Sequence, residues 1–197
     1  MYRVGVTGGI GSGKTLVCNV FERLGIPVYY ADARARRIMD TDGGLKEQIT
    51  GIFSAEAYRQ GVLDRRYVAE KAFGDPELLG KLNAVVHPVV RNDFNRWAEQ
   101  QEDVPYVIEE AAILFESGGQ GCLDSVVLVF APENLRIERV MKRDDLDEGD
   151  VRRRMQHQMD DSAKIRMADH VIWNDHSRLL LPQIVQVHQQ ILNKRNR

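Results

Sequence analysis

Several things are scarce in this sequence of 197 residues. It has only two cysteines, Cys18 and Cys122, at no spacing that suits a metal ion. Cys18 falls in an apolar helical pattern, so buried free thiols are expected rather than a disulfide. The longest apolar stretches, such as 126–132, fall far short of the ~20 residues that a membrane-spanning helix needs. Positive charge is in no excess: 27 Lys and Arg stand against 29 Asp and Glu, a formal net charge of −2. A chain that coats nucleic acid usually carries a basic surplus, so nucleic acid is not an expected partner. Any anionic ligand must be met by a local site. With 16 Gly and 6 Pro, the composition is not that of collagen or a linker.

What is present is ordinary for a folded protein: 43% hydrophobic and 28% charged residues. At ~150 residues per domain, the length suits one domain or two. The first residues read as a strand rather than a leader, so the cytosol is the expected compartment; a monomer is expected, with an oligomer left open. Residues 2–6 are apolar and β-branched, and run into a glycine-rich turn. Leu16, Val17, Val20, Phe21 and Leu24 then recur at helical spacing. The row Leu16, Val20 and Leu24 is expected in the core. Residues 26–31 read as a second strand. A strand–loop–helix–strand unit implies parallel strands in an α/β sheet flanked by helices.

From 33 to 101 nearly every segment reads as helix: 33–39, 45–53, 65–73, 77–86 and 89–100. Turn signals separate them, among them Gln60-Gly61 and His87-Pro88. This suggests a helical insertion. Apolar strands return at 105–109 and 125–130, as buried parallel strands do. Helices are expected over 132–142, 151–159, 162–167 and 178–192, with a short strand at 170–173 and a frayed tail at 193–197. The expected division is a nucleotide-binding core of 1–31, 104–135 and 168–197, an acceptor-binding insertion of 32–103 and a lid of 136–167.

The segment Gly8-Gly9-Ile10-Gly11-Ser12-Gly13-Lys14-Thr15 fits the pattern G-x-x-x-x-G-K-[ST]. Glycines let successive backbone N–H groups turn toward phosphate oxygens without side-chain clashes. The N-terminus of the following helix adds partial positive charge. Lys14 can reach the terminal phosphates, and the Thr15 hydroxyl can ligate Mg²⁺. A strand before the loop and a helix after it make a ligand-free glycine turn the weaker reading. A nucleoside triphosphate with Mg²⁺ is the expected ligand.

What the triphosphate serves is narrowed by absence. No Asn-Lys-x-Asp run is present to read guanine, and residues 126–130 end in Ala131-Pro132 rather than the Asp of a motor ATPase. A helical insertion after the second strand and a charge-dense stretch near 143–150 suit a small-molecule kinase. Asp32 ends the second strand, where ligands of open α/β sheets bind. It can accept a proton from an acceptor hydroxyl, or cap the helix that follows. Glu110 can hold a metal-bound water or be a solvated strand end. A nucleoside or nucleotide kinase, or a regulatory ATP-binding module, stays open as an alternative.

Taken together, these motifs resemble the dephospho-coenzyme A kinase family. Besides the loop, the likeness rests on Ala31-Asp32 with Arg36, Leu63-Asp64-Arg65 ahead of Phe73, Leu82-Asn83 with His87-Pro88, and residues 110–116. Further on it rests on Arg143-Asp144, Arg154 with Gln158, and residues 168–174. It covers nearly the whole chain in order. The resemblance implies ATP-dependent phosphorylation of the ribose 3′-hydroxyl of dephospho-coenzyme A, giving coenzyme A and ADP, with ATP and dephospho-coenzyme A as partners and Mg²⁺ as cofactor. It implies Asp32 as base and Arg143 as lid arginine, with Lys14 at the transferring phosphoryl group. For ATP it implies Gly9, Gly11, Ser12, Gly13, Lys14, Thr15, Leu16, Arg154 and Asn174. For the acceptor it implies Thr7, Asp32 and His87, while Arg36 and Arg65 are expected either at the acceptor's pyrophosphate or beside acidic neighbours. Thr15, with Glu110 through water, is the implied metal site. Two departures stand out: Tyr30 replaces the family's first Asp, and Ala112 its usual Pro.

Overall fold

A computed structural model describes residues 1–156 and 158–195, with the backbone alone at Phe73. The Phe73 side chain of the family motif and the last two residues of the expected tail therefore lie outside the described residues. The chain divides into two compact units, one of residues 1–30 with the chain from Ala98 onward, the other of residues 31–97.

Strand β1 (Tyr2–Thr7) is buried over its last four residues. The loop after it turns at Gly8, Gly11 and Gly13, with φ of 153°, 79° and 97°. Helix α1 (Lys14–Arg23) buries Val17, Cys18 and Phe21. This corrects the expected core row: Leu16 and Leu24 are 54% and 39% exposed. The two rows lie about 100° apart on the helix, and the sheet takes the one that holds Val17 and Phe21. Cys18 and Cys122 are both free, but Cys122 is exposed, contrary to expectation. It ends a one-turn 3-10 helix (Gly119–Cys122) rather than lying in an apolar period. Burial, and after it the charge of Glu110, push the Cys18 thiol well above its ordinary range. Strand β2 (Val28–Tyr30) ends this first stretch.

The second unit is mostly helical. Helix α2 (Ala31–Thr41) follows β2 directly. Helix α3 (Gly43–Phe53) is capped by Asp42, whose side chain accepts from Leu45 N at 2.8 Å. An antiparallel hairpin of β3 (Tyr58–Arg59) and β4 (Val62–Leu63) then interrupts the expected run of helices. Each strand has two residues, too few to show a period of two, so only the Gln60-Gly61 turn was visible. Asp64 caps α4 (Arg65–Gly74), accepting from Tyr67 N at 3.0 Å. Helix α5 (Pro76–Glu99) runs unbroken with Pro88 inside, where the sequence suggested two helices. Val86, Val90 and Phe94 bury one face across the proline. That burial outweighs one lost backbone hydrogen bond, and exposed Pro88 leaves the orphaned carbonyl of Ala84 open to water.

The first unit resumes with β5 (Tyr106–Glu110), β6 (Ser125–Phe130), α6 (Glu133–Asp144), α7 (Glu148–Met155), α8 (Asp161–Met167), β7 (His170–Trp173) and α9 (Leu180–Arg195). The sheet is parallel throughout, in the order β2-β5-β1-β6-β7. Val4, Val6, Ile108, Val127, Val129 and Ile172 fill its centre against Phe21, Ile184 and Ile191. A second cluster joins Ile137, Val140 and Val151 to Ile10 of the loop. The connection out of β1 runs to β2 on one side, and the connection out of β5 crosses to β6 on the other, which opens a crevice at the carboxyl ends of β1 and β5. The glycine loop emerges there. Among the described residues, no helix is long and apolar enough to cross a membrane.

Candidate active site

The loop's glycines are required by crowding as well as by φ. A Cβ on Gly9 would enter the Arg136 guanidinium, one on Gly13 would meet the Asn174 amide, and one on Gly11 would strike the Arg136 carbonyl and Val140. Inside the loop, Ser12 N donates to Gly9 O at 3.0 Å. No side chain caps α1 at Gly13. The N-terminal end of α1, with the helix dipole behind it, thus meets the loop without a capping side chain from Gly13. The hydroxyls of Thr7 and Ser12 are buried without a hydrogen-bond partner. Orphaned buried donors beside a bare helix N-terminus suit phosphate oxygens.

Lys14 curls back over this loop. Its Nζ donates to Gly8 O at 2.9 Å and lies 3.8 Å from Glu110 Oε1. Glu110 is 7% exposed, so it is not a solvated strand end. It stands beside Val6 in the register of β5 with β1. Thr15 is exposed in the first turn of α1. A hydroxyl and a carboxylate are hard oxygen donors of the kind Mg²⁺ takes alongside phosphates and water.

The braces that hold the loop were not apparent from the sequence. Asn174 Nδ2 donates to Ser12 O at 2.8 Å, and Arg139 reaches Gly11 O and Asn174 O at 3.4 and 3.1 Å. Arg136 is 6% exposed and is fixed by Asp161 at 2.6 Å and Ala131 O at 3.0 Å. Nothing in the composition of α6 distinguishes these two arginines from its surface charges. Their spacing of three residues is the one signal, since it puts both on one helix face.

Other candidates are partnered elsewhere. Arg143 makes a two-pronged contact with Asp144 at 2.7 and 2.9 Å, and Arg154 lies 3.5 Å from the same carboxylate. The three are exposed or nearly so, and such surface pairs are held weakly enough to exchange for a phosphate. Arg152 pairs with Glu133 and Glu148, and Arg153 with Asp150. In the second unit, Asp32 lies within the first turn of α2 rather than ahead of it. The capping reading of Asp32 therefore falls, because the helix starts one residue earlier, at Ala31. Asp32 is exposed. Arg65 bonds the Asp40 carboxylate, and also Arg36 O at 3.2 Å, so Arg36 and Arg65 are neighbours. His87 is half-buried, and burial followed by the charge of Arg91 holds its imidazole below the usual range.

A parallel sheet whose central strand feeds a glycine loop, with a lysine folded over that loop, defines a P-loop nucleotide-binding fold. The comparisons carry this further. The family model "Dephospho-CoA kinase" matches residues 2–179. A dephospho-CoA kinase of Salinibacter ruber is 44% identical over 178 residues, 89% of each chain. A crystal structure of TT1252 from Thermus thermophilus superposes with a TM-score of 0.84 at 36% identity, covering 98% of this chain and 97% of that one. Dephospho-CoA kinase from Campylobacter jejuni superposes with a TM-score of 0.71 at 26% identity, covering 98% of both chains. The chain belongs to the dephospho-CoA kinase family, whose enzymes phosphorylate dephospho-coenzyme A.

Proposed function

We propose that this protein moves the γ-phosphoryl group of ATP to the ribose 3′-hydroxyl of dephospho-coenzyme A, working as a cytosolic monomer. One observation carries the reading: a bare α1 N-terminus behind three glycines of positive φ, in a chain of this family. The backbone from Gly11 to Leu16, with Gly9 at the start of the loop, cradles the triphosphate, and Asn174, which already braces Ser12, borders the adenine. Lys14 offsets charge on the phosphoryl group as it moves, and Arg143 and Arg154 join it on leaving Asp144. Thr15, with Glu110 through water, would hold Mg²⁺, which supplies electrostatic stabilisation of the phosphates.

Asp32 orients the acceptor hydroxyl and takes its proton, so that the oxygen attacks in line. In support, Asp32 is an exposed carboxylate two residues past β2, in the first turn of α2. Thr7, Arg36, Arg65 and His87 contact the acceptor. In this scheme residues 32–103 receive the acceptor and residues 136–167 act as the lid. The test is Asp32→Asn with Mg-ATP and dephospho-coenzyme A. Turnover should fall at least ~100-fold, the scale of losing a general base, with ATP binding nearly intact. Turnover like that of the wild type would remove Asp32 from the reaction.

A further inference from the structure

We propose that Gln158 is a positioning residue for ATP, its side-chain amide holding the Gly9–Ile10 peptide of the phosphate loop in one orientation. The inference rests on the reading of that loop as the triphosphate site. The peptide unit between Gly9 and Ile10 has two polar ends, and both are occupied. Its carbonyl, Gly9 O, accepts from Ser12 N at 3.0 Å. Its N–H, on Ile10, donates to Gln158 Oε1 at 2.9 Å. A trans peptide is planar with C=O and N–H opposed, so two bonds in opposite directions fix its rotation. One comes from the loop itself. The other comes from a residue 148 positions away in the chain. Glycine at position 9 offers little resistance to a peptide flip, so without Gln158 the loop loses half of this restraint.

Gln158 itself is held in place. Its Nε2 donates to Ala112 O at 3.4 Å, just past β5. The next residue, Met159, donates its N–H to Glu116 Oε1 at 2.8 Å. Glu116 also meets the fully buried Lys164 at 2.9 Å. Asp161, at the start of α8, grips Arg136, which fills the space over Gly9. The segment 158–164 is thus clamped to the segment after β5 and to α6, and it presents one amide to the loop. An amide suits both contacts without a change of charge, because the Ile10 side needs an acceptor and the Ala112 side a donor.

The experiment compares wild type, Gln158→Ala and Gln158→Glu. Binding of a non-hydrolysable ATP analogue with Mg²⁺ is measured by calorimetry, and steady-state kinetics with both substrates are measured in parallel. Q158A should weaken analogue binding and raise the KM for ATP roughly tenfold, as loss of one hydrogen bond from a pre-organised site would. Its KM for dephospho-coenzyme A and its kcat should stay within about twofold of wild type. Unchanged analogue binding in Q158A, or an equal rise in both KM values, overturns the inference. Should Q158A fail to fold, Q158E carries the test. Its carboxylate accepts from Ile10 but faces Ala112 O without a proton, so its deficit for ATP relative to wild type should shrink from pH 8 to pH 5.5. A deficit that does not change with pH overturns the inference. A wild type that does not bind the analogue overturns the loop reading, and this inference with it. Wild-type binding with an unaffected variant overturns this inference alone.

Discussion

At the residue scale, the site is defined by what its glycines exclude. Gly9 has no unusual φ, yet a methyl group there would enter a guanidinium that cannot swing away, because Asp161 and Ala131 hold it. Gly9→Ala should therefore cost about 1–3 kcal/mol of stability, the usual scale for overpacking a filled space, and weaken ATP-analogue binding as well. Urea unfolding and calorimetry read the two effects, and a variant as stable as wild type would show that Arg136 gives way. Lys14, Thr15 and the glycines could be named from the sequence because the motif has fixed spacing. Arg136, Arg139 and Glu116 could not be assigned a place at the site, since each reaches it or its supports across more than 30 residues of chain.

At the scale of elements, α5 shows packing overriding a local signal. His87-Pro88 reads as a helix end, yet the helix continues because Val86, Val90 and Phe94 are buried along one face. Proline in a helix interior is about 3 kcal/mol worse than alanine, and part of that is recovered through a stiffer unfolded chain. Pro88→Ala should accordingly stabilise the protein by about 1–2 kcal/mol, raising its unfolding midpoint in urea. The same comparison explains the error on α1. Both apolar rows of that helix were visible, but which row faces inward depends on where the sheet lies.

At the scale of the molecule, a net charge of −2 sits beside a site built for polyanions. Local groups resolve this: Lys14, the arginines of α6 and the backbone N–H groups of the loop. The pH dependence of stability should show two stages. His87, His170 and His188 are all held below the usual histidine range, chiefly by burial. The unfolded chain then binds more protons than the native one, so stability is full above about pH 6.5 and falls as the pH drops through it. Tyr106 OH, 2.7 Å from His188 Nδ1, would lose its acceptor on protonation of that nitrogen. A second decline should follow below about pH 4. At Asp40, Glu116 and Asp169, burial works against ionisation, but backbone N–H groups and Arg65, Lys164 and Lys194 hold the carboxyls low. Urea midpoints from pH 8 to pH 3 would check both stages, and a midpoint flat between pH 7 and pH 5.5 would contradict the first.

The sequence by itself determined the parallel α/β class, the phosphate loop and the family. Each depends on residues close together in the chain: apolar periods, glycine spacing, short ordered motifs. Tertiary structure decided what lies around the loop. It buried Glu110 beside Lys14, turned Arg136 and Arg139 inward, placed Asn174 on Ser12, and brought Gln158 to Ile10. These contacts join residues far apart in the chain, and a side chain's partner at that range is set by how the strands are ordered and the helices packed, which no local pattern records.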